Sequence, residues 1–372
     1  MIRVLNVSSD RNIGGAGRCI LTFLKYYDRE SFMVDVAVPK GSLLVPEIEK
    51  LGAEVIEVDG IGDKSLDFGA IRELKRVIRK RDPQVVHTHG AMSGRIAGRQ
   101  CGKKVVYTRH SVFPVSKKLS RPPGKWINGW VNAHYADAII AVAEAAKENL
   151  VESGVRTDRV EVILNGVEAQ TRLPSKEIAA EKTKYGIPPD RFVAGILARM
   201  EHVKGHRYLL EAARMLKEEG KPITIVVAGV GSLEDELKQQ AAEMELGDTV
   251  VFAGFVTDVP RILSMMDIQL NASFGTEATS LALLEGMSMG IPAVVTDYGG
   301  NPGVISEGVN GFLVPTKDSV ALGEAIVEMM ESKEVYARMQ QSCLDVFQEK
   351  FTAEIYARNI ERVYRWAAGK RG

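Results

Sequence analysis

Two glutamates, Glu277 and Glu285, lie eight positions apart around the predicted start of a short helix. Alternating apolar residues precede Gly275, a helical run begins near Thr279, and Gly290-Ile-Pro292 ends it. The segment is therefore predicted to form a strand, a loop, a helix and a second strand. Because such a loop opens on the ligand crevice of a doubly wound α/β domain, we expect Glu277 in the loop and Glu285 about two turns down the helix, both on the crevice side.

The chemistry that this pair could serve is recognition of a sugar nucleotide. A carboxylate accepts two hydrogen bonds at once and so suits vicinal hydroxyls, while the free N–H groups at a helix start suit a phosphate. One segment could therefore hold a ribose, a diphosphate and a sugar. The alternative is an ordinary amphipathic helix with a glutamate in its first turns.

Two cations, Arg199 and Lys204, follow the apolar strand Phe192–Leu197. At the carboxyl end of a strand they would neutralise the charge that develops on a diphosphate leaving group. Alone, such a pair is typical of a solvated loop. Beside Glu277 and Glu285, we interpret it as part of the same site.

Further motifs extend this pattern: Gly290-Ile-Pro-Ala-Val-Val-Thr296, Gly299-Gly300-Asn-Pro302 and Asn310-Gly311-Phe-Leu-Val-Pro315. With the E-x7-E spacing, they resemble the carboxyl-terminal domain of retaining glycosyltransferases of family 4, or glycosyl transferases group 1, which have the GT-B fold. The chain has Ala278-Thr279-Ser280 where many relatives have Gly-Phe-Pro, and Gly303 where they have a glutamate. The resemblance covers nearly the whole chain and is mostly topological before Asn165.

The resemblance implies a role for each candidate residue. Glu285 would bind the ribose, Glu277 the sugar hydroxyls, and Arg199 with Lys204 the departing diphosphate. His110, which follows the strand Lys104–Thr108, would line the sugar pocket, with a structural histidine as the alternative. The implied catalytic set is His110, Arg199, Lys204 and Glu277. The implied donor-binding set is Gly14, Gly15, Arg199, Lys204, Gly229, Phe255, Val256, Glu277, Thr279, Ser280, Leu281 and Glu285.

Cofactors are not expected. Gly14-Gly15 lies in the first strand-to-helix loop, but it does not form the G-x-G-x-x-G fingerprint of a dinucleotide site. His87-Thr-His89 could place two imidazoles on one face of a strand, yet no Cys or Asp cluster with metal spacing accompanies them. We therefore predict metal-independent activity on a UDP-sugar or a GDP-sugar, with UDP favoured.

The predicted function is transfer of a sugar from a nucleotide diphosphate sugar to an acceptor hydroxyl, in cell-envelope or exopolysaccharide synthesis. The resemblance implies retention of the anomeric configuration, by a same-face displacement in which the leaving phosphate helps to deprotonate the acceptor. Two alternatives on the same fold are a sugar-nucleotide epimerase and a phosphorylase. A third is an inert nucleotide-sugar-binding protein.

The elements that would position these residues alternate regularly between strand and helix, which indicates two mostly parallel, doubly wound sheets. A polar stretch with three prolines between Asn165 and Pro189 predicts the linker. We expect an α/β protein of two Rossmann-like domains that face a deep cleft. The first would be an acceptor-binding domain, 1–170, joined by a crossing helix in 353–372 that the resemblance implies. The second would be a donor-binding domain, 171–352.

Composition agrees with a globular protein, since 45% of the 372 residues are hydrophobic, 26% are charged and the formal net charge is zero. No apolar run approaches the roughly 20 residues that a membrane span needs. The amino terminus reads as a strand and not as a signal peptide. Three widely spaced cysteines form neither a disulfide framework nor a zinc pattern. We therefore expect a cytoplasmic protein.

One segment is strongly cationic, because nine basic residues and no acidic residue lie between Asp82 and Asp137. Trp126 and Trp130 follow the last four of these. Cations interleaved with tryptophan suit an anionic membrane surface or a lipid-linked acceptor; the alternatives are a solvated surface and a nucleic-acid patch. We expect peripheral association with the inner face of the membrane and no nucleic-acid partner. The residues assigned to the acceptor or membrane are Lys117, Lys118, Arg121, Lys125 and Trp126.

Overall fold

The computed structural model describes residues 1–62, 66–90 and 92–369. The chain forms two compact units. Unit 1 comprises Met1–Val167 with Phe351–Gly372, and unit 2 comprises Glu168–Lys350. The predicted domains were 1–170 with 353–372, and 171–352. Their two boundaries lie within three residues of the boundaries between the units. Residues 370–372 of the predicted crossing helix lie outside the described residues.

Unit 1 is built on a parallel sheet of seven strands in the order β3-β2-β1-β4-β5-β6-β7. Its central strands are buried along almost their whole length, as in parallel sheets with helices on both faces. Most of their residues are apolar, so the buried polar side chains on β1, β4 and β5 stand out. The elements are β1 Ile2–Ser8, α1 Gly15–Tyr26, β2 Phe32–Pro39, α2 Leu44–Lys50, β3 Glu54–Val58, α3 Phe68–Arg81, β4 Val85–His89, α4 Met92–Gln100, β5 Lys104–Arg109, α5 Lys117–Ser120, α6 Gly124–Tyr135, β6 Ala138–Ala141, α7 Glu144–Glu152 and β7 Val160–Val162.

Unit 2 contains a parallel sheet of six strands in the order β10-β9-β8-β11-β12-β13. The strand order reverses between β8 and β11, which makes this the point where the carboxyl-end loops of an open sheet form a crevice. The elements are α8 Ser175–Lys184, β8 Phe192–Leu197, α9 His206–Glu218, β9 Ile223–Ala228, α10 Glu234–Glu243, β10 Val250–Gly254, α11 Val259–Ser264, β11 Ile268–Asn271, α12 Leu281–Ser288, β12 Ala293–Thr296, α13 Asn301–Val304, β13 Gly311–Val314, α14 Ser319–Glu331 and α15 Lys333–Lys350.

The predicted linker contains a helix of unit 2. Helix α8 occupies the middle of the stretch between Asn165 and Pro189, and Arg261 on α11 pairs with Glu177 and Glu181 on it. Because most residues of α8 are polar and most are exposed, the sequence shows no helical repeat of apolar residues there. Pro174, which reads as a linker signal, instead occupies the N-cap position, where the missing N–H of proline costs nothing.

The last helix, α16 Ala353–Ala367, returns to unit 1 and confirms the predicted crossing. Its buried residues repeat at helical spacing and pack against β1 and α1. Tyr364 is fully buried and meets the ring of Phe23 edge to face, with 5.5 Å between ring centroids. Among the helices of the described residues, none is long and apolar enough to cross a bilayer.

Candidate active site

The loops after β8 and β11 bring a lysine and a glutamate together in unit 2. Lys204 ends a short 3-10 turn, His202–Lys204, after β8, and Glu277 lies in the loop after β11. Their Nζ and Oε2 atoms are 2.6 Å apart, and both side chains are largely buried. The adjacency of β8 and β11 explains this meeting, because the carboxyl ends of neighbouring parallel strands lie at one edge of the sheet.

The two oxygens of Glu277 differ in their surroundings. Oε2 accepts hydrogen bonds from Lys204 Nζ, from Ser273 Oγ at 2.9 Å and from Asn271 Nδ2 at 3.4 Å. Oε1 accepts none from the residues that the structure describes. Since a carboxylate oxygen has two lone pairs, Oε1 is the atom that a ligand hydroxyl can reach.

Two glycines let the backbone close around this pair. Gly299 has a φ of +60°, and a Cβ added there would lie 2.1 Å from the carbonyl oxygen of Glu277. The amide of Gly300 donates to the same oxygen at 3.2 Å. Gly205 has a φ of +73°, and its Cβ would lie 2.1 Å from the carbonyl oxygen of Ala272. Only glycine fits such close approaches at positive φ.

Glu285 lies on α12, about one turn from the helix start, and is only 4% exposed. The prediction of two turns was wrong because Ser280 ends the loop with an extended backbone and caps the helix, its Oγ accepting from the amide of Leu283 at 3.4 Å. The helix therefore begins at Leu281 and not near Thr279. Gly286 lets α12 lie directly on β11, since its Cβ would be 2.2 Å from Nε2 of Gln269.

The remaining donor-binding candidates lie on loops that adjoin β8, β9 and β10. Arg199 is exposed at the end of β8 and does not share the buried position of Lys204. A Cβ at Gly229, which has a φ of +134°, would lie 2.1 Å from the carbonyl oxygen of Ala198, so this loop packs on the backbone beside Arg199. The amide of Gly229 also donates to Gly254, and the ring of Phe255 just beyond is exposed.

Unit 1 holds a cluster of three histidines at the carboxyl ends of β4 and β5. His89 Nδ1 lies 2.8 Å from His110 Nε2, and His89 Nε2 lies 3.0 Å from Asn6 Oδ1. His87 contacts the hydroxyls of Tyr364 and Thr108, each at 2.7 Å. Burial lowers the pKa of His110 to about 4 and that of His87 to about 3, the latter with repulsion from His110. It also lowers the pKa of His89, so all three rings are neutral at pH 7.

Two protein-family models match this chain, one in each half, and together they decide its family. The model described as Glycosyl transferases group 1 matches residues 177–343, and the model described as Glycosyltransferase Family 4 matches residues 13–171. The chain belongs to the family 4 glycosyltransferases. It is therefore a transferase with the GT-B fold, as the resemblance implied.

Relatives of this glycosyltransferase match over most of their length. EpsD of Bacillus subtilis, named as a glycosyltransferase, is 28% identical over 337 residues, which are 86% of each chain. The UDP-Gal:alpha-D-GlcNAc-diphosphoundecaprenol alpha-1,3-galactosyltransferase of Escherichia coli is 28% identical over 288 residues, or 74% of each chain. The crystal structure of Anabaena HepE in complex with UDP has a TM-score of 0.84 at 21% identity, and the match covers 97% of this chain and 99% of HepE.

The structure places Gly14 and Gly15 of the glycosyltransferase at the start of α1, after β1. Gly14 is the N-cap of α1 and a Cβ at Gly15 would meet no neighbouring atom, so packing requires neither glycine. Gly17 is the close contact instead, because its Cβ would lie 2.9 Å from the side chain of Leu44. Asp10, beside this loop, was missed: burial raises its pKa, opposed by a hydrogen bond from the Gly17 backbone. The signal in the sequence was an acidic residue just after the first strand, near the predicted glycine loop.

The cationic segment of the glycosyltransferase forms α5, α6 and the turn between them. Trp126, Ile127 and Trp130 on α6 are 70%, 59% and 62% exposed. Lys117, Lys118 and Arg121 are exposed, and Lys125 is partly buried. The structure therefore places apolar and basic side chains on the surface of the same short segment.

Gly299→Ala is expected to lower kcat/KM at least tenfold, because the new Cβ must displace the backbone that holds Glu277 and because strain at positive φ costs about 1–3 kcal/mol. Gly303→Ala is the matched control, since its added Cβ would meet nothing within 4 Å. Steady-state kinetics and thermal unfolding of both variants check this. Equal kinetics for the two variants would contradict it.

Stability is expected to fall as the pH drops from 7 to 5. Burial, with repulsion from Lys204, lowers the pKa of His206 in unit 2 to about 4, and His87 is also shifted downward. The unfolded chain then binds more protons than the folded one below about pH 6.5, so stability declines toward the folded pKa values, by about 2 kcal/mol for each of these histidines at pH 5.

Denaturant titrations at pH 7 and pH 5 measure this loss, with His206→Leu as the diagnostic variant. The two ring nitrogens of His206 have no hydrogen-bond partner among the described residues, so leucine removes the titration without breaking a bond. The variant should lose less stability on acidification than the wild type. The same pH dependence in both proteins would refute the role of His206.

Proposed function

We propose that the protein transfers a sugar from a UDP-sugar to an acceptor hydroxyl with retention of the anomeric configuration. The observation that carries this is the buried Lys204–Glu277 pair beside the β8–β11 crevice, with Oε1 of Glu277 open to a ligand. Support for UDP comes from HepE, which has been crystallised with UDP and with UDP-glucose, and from the E. coli relative named for UDP-Gal.

In this proposal each residue of unit 2 has a separate task. Glu285 binds the ribose hydroxyls, and Oε1 of Glu277 accepts hydrogen bonds from the sugar. Lys204 and Arg199 stabilise the negative charge that grows on the diphosphate as its bond to the anomeric carbon breaks. With two cations in this role, the reaction needs no metal.

The acceptor hydroxyl attacks the same face of the sugar from which UDP departs. Its oxygen forms the new bond to the anomeric carbon, its proton passes to the departing phosphate oxygen, and UDP carries away the electron pair of the broken bond. This route needs no carboxylate nucleophile close to an acid, which a covalent glycosyl intermediate would require. In unit 1, His110 keeps the role that the resemblance implies, which is contact with the transferred sugar.

We also propose that the acceptor is lipid-linked and that the α5–α6 segment meets the anionic inner face of the membrane. The E. coli relative is named for a diphosphoundecaprenol acceptor. Exposed Trp126, Ile127 and Trp130 beside a cluster of basic residues have the composition of an interfacial contact. The place of action would be cell-envelope or exopolysaccharide synthesis.

Replacing Lys117, Lys118, Arg121 and Lys125 together by glutamine should weaken binding to phosphatidylglycerol vesicles by about 100-fold or more, since each basic residue near such a surface contributes about 1 kcal/mol. Sedimentation with vesicles at low and high salt measures it. The matched control replaces Arg72, Arg76, Arg79 and Lys80, four exposed cations on α3 of the same unit. Equal losses for both variants would show a general charge effect and contradict the proposed surface.

Calorimetric titration with UDP, GDP and ADP tests the proposed donor. Selective binding of UDP is the expected result. Selective binding of GDP would move the proposal to another donor, and no binding of any of the three would overturn the sugar-nucleotide function.

A further inference from the structure

A chain of hydrogen bonds in unit 1 ends at His110. It begins at Asn6 on β1, passes through His89 on the adjacent strand β4, and reaches His110 just after the next strand, β5. Asn6 and His89 are both almost completely buried. His110 is only partly buried, so it is the member of the chain that a ligand can reach.

The chemistry of Asn6 sets the direction of every proton in this chain. An amide oxygen can only accept, so His89 must carry its proton on Nε2 to donate to Asn6 Oδ1. A neutral imidazole has one N–H, so His89 Nδ1 is an acceptor. Nε2 of His110, 2.8 Å away, must then be the donor. The hydroxyl of Tyr364 also lies within 3.4 Å of Asn6 Oδ1 as a donor, which agrees with this orientation of the amide.

These donor and acceptor roles require that the imidazole rings of His89 and His110 are neutral. Burial lowers the pKa of His110 to about 4 and holds that of His89 below its usual value. A neutral His110 whose single proton lies on Nε2 has an unprotonated Nδ1. Within the described part of the chain, His89 is the one hydrogen-bond partner of the His110 ring.

We propose that Asn6 and His89 are positioning residues that hold His110 in the Nε2–H tautomer, so that Nδ1 accepts a hydrogen bond from a substrate hydroxyl. This contact with a substrate hydroxyl rests on the proposed function, because the hydroxyl belongs either to the transferred sugar or to the acceptor. An imidazole in the opposite tautomer would present an N–H there and could only donate to the hydroxyl oxygen.

A second branch of the same cluster provides the control. His87 lies between the hydroxyls of Tyr364 and Thr108 and makes no hydrogen bond to His89 or His110. Thr108→Val therefore removes a buried hydrogen bond close to His110 without breaking the chain through Asn6 and His89. Asn6→Leu breaks that chain at its origin, and Asn6→Asp keeps an acceptor for His89.

Nitrogen-15 NMR of histidine-labelled protein tests the tautomer directly. The expected result is a proton on Nε2 and an unprotonated Nδ1 for His110 in the wild type, in Asn6→Asp and in Thr108→Val, and loss of this single tautomer in Asn6→Leu. A proton on Nδ1 in the wild type would overturn the proposal. This measurement needs no activity, so it decides the tautomer even if the protein transfers no sugar.

Kinetics test the hydroxyl contact. The amide of asparagine can place an oxygen where Nδ1 of His110 lies, whereas the amide of glutamine reaches the position of Nε2. His110→Asn should therefore retain a turnover at least about tenfold above His110→Gln, the size of one hydrogen bond in a buried site. A raised KM for the donor would assign the hydroxyl to the sugar, and a raised KM for the acceptor would assign it to the acceptor.

The variants of Asn6 separate positioning from folding. Asn6→Leu should lower kcat about tenfold, Asn6→Asp should restore it, and Thr108→Val should leave it unchanged despite a lower Tm. Equal losses of kcat in Asn6→Leu and Thr108→Val would indicate a structural role only and overturn the proposal. So would equal turnover of His110→Asn and His110→Gln in an active wild-type background.

Discussion

Lys204→Met is expected to lower kcat roughly 100-fold to 1000-fold, the usual effect of removing one group that stabilises charge in the transition state. In our account, Lys204 lies at the end of β8 to meet the diphosphate as it departs. The affinity for UDP should fall much less than kcat, because the proposed ribose contact with Glu285 is unchanged. Steady-state kinetics with a UDP-sugar and calorimetry with UDP measure the two quantities separately.

The control for this variant concerns stability. Removing Lys204 leaves the carboxylate of Glu277 buried with its hydrogen bonds from Ser273 and Asn271 but without its cation, and breaking a buried pair costs about 3–5 kcal/mol. The double variant Lys204→Met/Glu277→Gln should recover much of this stability without recovering turnover. Recovery of turnover with stability would show that Lys204 acts only on the fold.

Glu285→Ala is expected to weaken UDP binding about 100-fold or more. A carboxylate that accepts hydrogen bonds from two ribose hydroxyls makes two charge-assisted bonds, each with a contribution of about 1.5–3 kcal/mol. Calorimetry with UDP measures the loss directly. Uridine should bind with a similar proportional loss in the variant, because the proposed contact involves the ribose and not the phosphates.

Glu324→Ala is the matched control for Glu285→Ala. It removes the same charge from an exposed position on α14 of the same unit, so it should leave UDP binding unchanged. Glu285 is buried, and its removal could also loosen α12, which thermal unfolding would reveal. A stable Glu285→Ala variant with wild-type affinity for UDP would contradict the ribose role.

The regular elements were predictable because their burial leaves a local pattern. Strand β8 has the predicted bounds, Phe192–Leu197, and β5 extends one residue beyond the predicted Lys104–Thr108. Buried parallel strands are apolar runs, and packed helices repeat at 3.6 residues. Helix α8 lacks this signal because most of its surface is polar.

The site was predictable to the level of its loops but not of its contacts. The spacing of Glu277 and Glu285 and the strand-end positions of Arg199 and Lys204 are visible in the sequence. The 2.6 Å contact of Lys204 with Glu277 depends on β8 lying beside β11 in the sheet. The sequence between these two strands does not reveal that they are neighbours. The chain from Asn6 to His110 joins three strands that are far apart along the sequence.

Product analysis shows whether the protein transfers a sugar with retention of configuration. The protein is incubated with UDP-glucose or UDP-galactose, labelled with carbon-13 in the sugar, with and without a bacterial lipid extract as the source of acceptor. We expect release of UDP and transfer of label that both depend on the extract, with NMR couplings of the product that show the anomeric configuration of the donor. Conversion of the labelled donor to its epimer without any acceptor would contradict the proposed transferase function, and a product of inverted configuration would contradict retention.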